Sequence, residues 1–174
     1  MKILMTGIFW CGLAILSTPA FAGEMELPVI QGSPALQAMK SLAGTWKGTH
    51  MMNGKELPAT VKYKVTSNGS SVVETIFPGT PQEMITVYHD KGDTLSMTHY
   101  CSVGNQPQLD MVKMEGQALS FSLSPHQNPG LEHEGHMHDL TITIEDKDHV
   151  KHEWTYYDKK KPQGNTSFTL VRVH

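Results

Sequence analysis

His138-Asp139-Leu140-Thr141-Ile142-Thr143-Ile144, then Glu145-Asp146-Lys147-Asp148, then His149-Val150-Lys151-His152-Glu153-Trp154-Thr155-Tyr156 reads as strand, turn, strand. Successive side chains of a strand point to opposite faces. His138, Leu140, Ile142 and Ile144 therefore share one side, and Val150, His152, Trp154 and Tyr156 share another. Leu95, Met97, His99 and Cys101 repeat the pattern. Each set carries the apolar residues and is expected to face a core, taking its histidines inward. A buried neutral imidazole without a partner costs about 1–3 kcal/mol, so these histidines call for a hydrogen bond, a ligand or a metal.

The same alternation runs outward through Trp46–Val173. Turn signals cut it at Asn53-Gly54, Asn68-Gly69, Phe77-Pro78-Gly79-Thr80-Pro81, Asp90-Lys91-Gly92-Asp93, Glu115-Gly116, Asp146-Lys147-Asp148 and Pro162-Gln163-Gly164-Asn165. The strands so bounded are about ten: 45–52, 57–66, 70–77, 83–90, 93–102, 107–114, 117–124, 137–145, 149–157 and 165–173. Short turns with no helix between strands make an antiparallel meander. Closing it into an up-and-down barrel removes both exposed edges; a two-sheet sandwich is the alternative.

Upstream, Ser33-Pro34 supplies an N-cap and a first-turn proline, and Leu36, Met39, Leu42 and Ala43 keep helical spacing until Gly44. One short helix thus precedes the strands, and 23–31 is a loose or strapping lead-in. Ser124 to Gly135 is long and rich in Pro, Gly, His and Glu, as a mouth loop or lid would be.

Lys2, the apolar run Ile3–Leu16 and Ala20-Phe21-Ala22 describe a secretory signal peptide over 1–22, cleaved before Gly23. The run is too short to favour a lasting membrane span. Residues 23–174 are then one domain of 152 residues with 13 basic and 17 acidic side chains. No basic stripe invites nucleic acid or an anionic membrane; Lys159-Lys160-Lys161 is placed at a hairpin tip. Localisation is expected to be periplasmic or secreted. Cys101 is the one cysteine left, so no internal disulfide forms, and burial beside His99 would protect the thiol.

Leu42-Ala43-Gly44-Thr45-Trp46-Lys47-Gly48 after a short helix resembles the Gly-x-Trp opening of the calycin group, which includes lipocalins, fatty-acid-binding proteins and nitrobindins. The resemblance implies a closed barrel whose tryptophan seals the floor under an arginine of the last strand. Arg172, on the same face as Phe168 and Leu170, is placed to cover Trp46 by cation–π contact. The runs Met97-Thr98-His99-Tyr100-Cys101 through Gly104-Asn105-Gln106-Pro107, and His136-Met137-His138-Asp139-Leu140-Thr141, are similar to a family of small exported bacterial calycin-type proteins without an assigned activity. Asn53-Gly54 makes a direct hairpin where fatty-acid-binding proteins insert a helical pair. His174 is terminal, which does not suit a nitrobindin-like haem ligand.

Parity gives the expected interior: Trp46, His50, Tyr63, Met97, His99, Cys101, Phe121, His138, His152, Trp154, Tyr156 and Arg172. All but His50 are taken as candidate ligand-binding residues for a small apolar or amphipathic molecule. A second reading is zinc or copper held by His136, His138, His99 and His152, with His133 or Cys101 available to join. Haem on an inward histidine is a third, without an attachment motif to support it. A filled core whose polar groups satisfy one another is the alternative to all of these. Catalysis is not expected: no phosphate loop, nucleophile elbow or paired-carboxylate signature occurs. Cys101 and His99, two apart on one strand, stand too far apart for a nucleophile–base hydrogen bond.

Overall fold

The computed structural model describes residues 27–124 and 130–174. The expected signal peptide, and part of the Ser124–Gly135 loop, lie outside the described residues. Within them, one helix, α1 (Pro34–Ser41), is followed by ten antiparallel strands that close into a barrel. The strands are β1 (Gly44–Met52), β2 (Lys55–Thr66), β3 (Ser71–Ile76), β4 (Met84–Lys91), β5 (Thr94–Tyr100), β6 (Gln108–Glu115), β7 (Ala118–Leu123), β8 (His136–Ile144), β9 (His149–Asp158) and β10 (Lys161–Val173). Each strand pairs with its sequence neighbour, and β1 closes on β10 with Trp46 opposite Arg172 and His50 opposite Phe168. Closure leaves no edge to aggregate.

The helix forms where its cap predicts. Ser33 Oγ accepts from the Leu36 amide at 3.1 Å and donates to Asp90 Oδ1 at 2.6 Å, tying the helix start to the end of β4. Ala35, Leu36, Met39 and Leu42 turn inward and plug one end of the barrel. Trp46 Nε1 donates to Leu42 O at 2.7 Å, and the Arg172 guanidinium lies 4.2 Å from the centre of the Trp46 ring. That guanidinium also donates to Ala43 O, Ser41 O and Lys147 O at 2.7–2.8 Å. It thereby satisfies carbonyls that the end of the helix leaves open. The floor expected from Trp46 and Arg172 is present.

Three local expectations are corrected. Asn68-Gly69 is not a two-residue hairpin: Ser67–Gly69 form a 3-10 turn, with φ of 51°, 53° and 90°. The turn receives the lead-in strap, as Ile30 N donates to Asn68 O at 2.8 Å and Asn68 Nδ2 donates to Pro28 O at 2.8 Å. A Cβ on Gly69 would stand 2.6 Å from Ile30 O, so the strap requires glycine there. Next, the last hairpin turns at Lys159-Lys160, both at positive φ, and β10 runs through Pro162–Asn165 with a bulge between Pro162 and Gly164. The stretch read as a turn is a strand at the barrel mouth.

The third correction concerns β8. A bulge between Met137 and Asp139 resets its parity: Met137 pairs with inward Tyr156, and Leu140 pairs with inward Trp154. His138 is therefore not on the face of Leu140 and Ile142. It leaves the interior, and Met137 takes its place.

Candidate functional site

The barrel has a filled half and an open half. Above the floor, Tyr63, Val72, Tyr88, Leu95, Met97, Leu109, Phe121, Leu140, Ile142 and Val150 are all at most 4% exposed. Tyr88 meets Phe121 edge-on at 5.9 Å. Glu74 lies fully buried among these side chains, brought inward between Val72 and Ile76 by the alternation of β3. It accepts from Tyr63 Oη at 2.9 Å and from Tyr88 Oη at 2.8 Å.

These donors set the tautomer of His152. Tyr63 Oη gives its proton to Glu74, so it accepts from His152 Nε2–H at 2.7 Å. His152 Nδ1 is left without a hydrogen bond, 3.5 Å from Glu74 Oε1. Burial pushes the His152 imidazolium below the usual histidine range, against the pull of Glu74. Burial first, and the Glu74 charge next, hold the Tyr63 and Tyr88 phenols well above theirs. Two phenols and one imidazole thus gather around the Glu74 carboxyl group.

At the opposite end lies a cavity of about 460 Å³. Its walls are Met52, Ile76, Met84, Met137, Trp154 and Phe168, with Val103 at the β5–β6 turn, and its polar groups are His50, Asn53, His99, Cys101, Ser102, Tyr156, Gln163, Asn165 and Thr166. Hairpin ends and strand termini of β1, β4, β5, β8, β9 and β10 all contribute. A volume of this size with apolar walls and a few polar groups is typical of small-molecule sites. No carboxylate is among the residues that line it.

Each imidazole here is held by one nitrogen. The His50 ring stacks on Phe168 at 4.4 Å. Its Nε2–H donates to Thr166 Oγ1, whose own proton goes to Met51 O at 2.9 Å. Burial lowers its pKa. His99 is 1% exposed; its Nδ1 bonds Thr86 Oγ1 at 2.9 Å, and its ring packs against Trp154 at 4.8 Å. Its Nε2 is buried without a partner. Burial moves the His99 pKa down to about 4, with Glu74 acting in the opposite direction, so the ring is neutral at neutral pH. At the rim, Gly135 presses against Tyr156, where a Cβ would fall 1.7 Å from the phenol oxygen. Only glycine permits that approach.

Of the eleven candidate ligand residues, His99, Cys101, Trp154 and Tyr156 line the cavity. Tyr63, Met97, Phe121 and His152 are inward but belong to the filled half, and Trp46 with Arg172 forms the floor. His138 stands outside the barrel wall, its ring stacked on Tyr157 at 3.9 Å. Beside it, His136 Nδ1–H donates to Glu134 O at 2.7 Å, so His136 Nε2 accepts from His138 Nδ1–H at 3.0 Å. Burial holds the His138 pKa down.

The four histidines read as a metal set are thus split three ways: His136 with His138 outside, His99 in the cavity wall and His152 in the filled half. Among the described residues, no three His, Cys, Asp or Glu side chains gather at one point. Glu74, Tyr88 and Thr86 are not among the residues expected inside from the sequence, although each has inward parity beside buried apolar neighbours. Met137 was hidden by the bulge. No protein-family model matches the chain, and no curated protein matches it.

Proposed function

We propose that this protein is an exported, lipocalin-like binder of a small apolar or amphipathic molecule, held in the mouth cavity rather than chemically transformed. The observation that carries the reading is the cavity itself, about 460 Å³ with thioether, aliphatic and aromatic walls above a filled barrel. Water in such a space gains few hydrogen bonds, so an apolar occupant displaces it favourably. His50, Tyr156 and Asn165 supply polar contacts for a head group near the rim. Trp46 and Arg172 serve by closing the far end.

Titration of untagged protein with 1-anilinonaphthalene-8-sulfonate, read by dye emission and by Trp154 quenching, tests this reading. Saturable one-to-one binding, lost when Met137→Trp fills the cavity, is the expected result. Emission that does not saturate, or that Met137→Trp leaves unchanged, rejects it. Export is tested separately, by fractionation and the intact mass: a periplasmic or secreted chain beginning at Gly23 is expected.

A further inference from the structure

Met84 on β4, and His99 and Cys101 two residues apart on and just beyond β5, line the same cavity. The β4–β5 register sets Thr86 opposite His99 and Ile85 opposite Tyr100, and Met84 and Cys101 follow just past the end of that ladder. Met84 Sδ and Cys101 Sγ lie 4.0 Å apart. Metal–sulfur bonds of about 2.3 Å separate two sulfurs by about 4 Å across a trigonal ion. The Cys101 thiol donates to the Met84 thioether across that gap, and loss of its proton would leave two sulfurs at the spacing of co-ligands.

The third donor lies one rung below. His99 is on the same face as Cys101, two residues earlier, and lines the same cavity. Same-face neighbours on a strand stand about 6.6 Å apart at Cα. That is too far for a direct hydrogen bond between the side chains and suits an ion placed between them. Thr86 fixes the ring through Nδ1, as an outer partner orients a metal-bound imidazole. Nε2, the nitrogen left over, is buried and unpartnered, a condition that a ligand would relieve. Cys101 is itself held in place, since its amide donates to Asn105 O and its carbonyl accepts from Gly104 N, both at 3.0 Å.

We infer that Met84 Sδ, Cys101 Sγ and His99 Nε2 form a three-coordinate site for a soft monovalent metal, copper(I). Thioether and thiolate sulfur with one imidazole select copper(I), whereas calcium and magnesium favour carboxylate-rich oxygen sets, and no carboxylate is among the residues lining this cavity. Zinc requires a fourth donor, which the three residues do not supply. On binding, copper(I) replaces the thiol proton of Cys101, which passes to solvent. The ion keeps its oxidation state, and its charge is neutralised by the thiolate. The inference is independent of the organic-ligand reading, and the two fail separately.

Anaerobic titration of untagged protein with copper(I), in competition with bathocuproine disulfonate, tests the site. The His136→Ala/His138→Ala background removes the outer histidine pair. One copper(I) per chain and a thiolate-to-copper absorption band in the near ultraviolet are expected. Cys101→Ser should weaken binding by about 100-fold or more, and Met84→Leu and His99→Gln by about 10-fold or more each. Met84→Leu conserves volume, so a melting temperature matching the parent's separates metal loss from misfolding. Failure to compete with the chelator, or affinity indifferent to both Cys101→Ser and Met84→Leu, overturns the proposal.

Discussion

The two halves of the barrel interior are built from the same alternating strands yet solve opposite problems. In the lower half, side chains from all round the wall meet across the axis, and Glu74, Tyr63, Tyr88 and His152 bond to one another, with His152 Nδ1 left over. Glu74 there has two phenol donors. In the upper half the walls stand apart, and His99 keeps a ring nitrogen without a partner. The lower half is thus packed and the upper half open, with His99 at the seam through its bond to Thr86. A side chain's inward direction does not by itself make it part of the site.

Substitutions can break this division. Trp46→Ala removes the largest floor side chain and its Arg172 contact, and should cost about 3–5 kcal/mol in urea unfolding. Dye affinity measured below the transition should stay unchanged. A comparable loss of affinity would mean the floor is part of the site.

Acid should come next in size. His99 titrates at about 4 when folded against an ordinary value of 6.5, so the unfolded chain binds the extra proton between those limits. Stability from neutral burial is fully present above pH 6.5 and is lost as pH falls towards 4, by about 3 kcal/mol in all. His99→Gln should flatten that part of the stability–pH curve, and a curve identical to the parent's would rule out His99 as its source.

Glu74→Leu should cost about 2 kcal/mol. With Glu74 gone, the Tyr63 and Tyr88 hydroxyls both lose their acceptor, because His152 Nε2 already carries a proton. Chemical denaturation of this variant beside Tyr88→Phe/Glu74→Leu checks the account, because the double variant should recover part of the loss. The smallest effect on stability should come from Met137→Ala at the cavity wall, below about 1 kcal/mol, while dye affinity falls measurably. A stability loss as large as that of Trp46→Ala would show the upper half to be packed like the lower.

Much of this molecule was legible in local pattern. The alternation sets the strands; Ser33-Pro34 and Gly44 bound the helix; and Gly-x-Trp with Arg172 announces the sealed end. These are properties of neighbouring residues, and steric and capping preferences act at that range. The bulge at His138 was not legible, because one extra residue in a strand changes no composition yet exchanges the two faces beyond it. Nor was the pairing of Glu74 with two tyrosines from β2 and β4, which depends on which strands adjoin. Least legible was the boundary between filled and open interior. Periodicity gives each side chain a direction, inward or outward. It gives neither the height along the axis nor the distance to the opposite wall. Closure of the barrel sets both. Tyr63 and His152 therefore end in a packed core, and His99, Cys101 and Trp154 end around an open space.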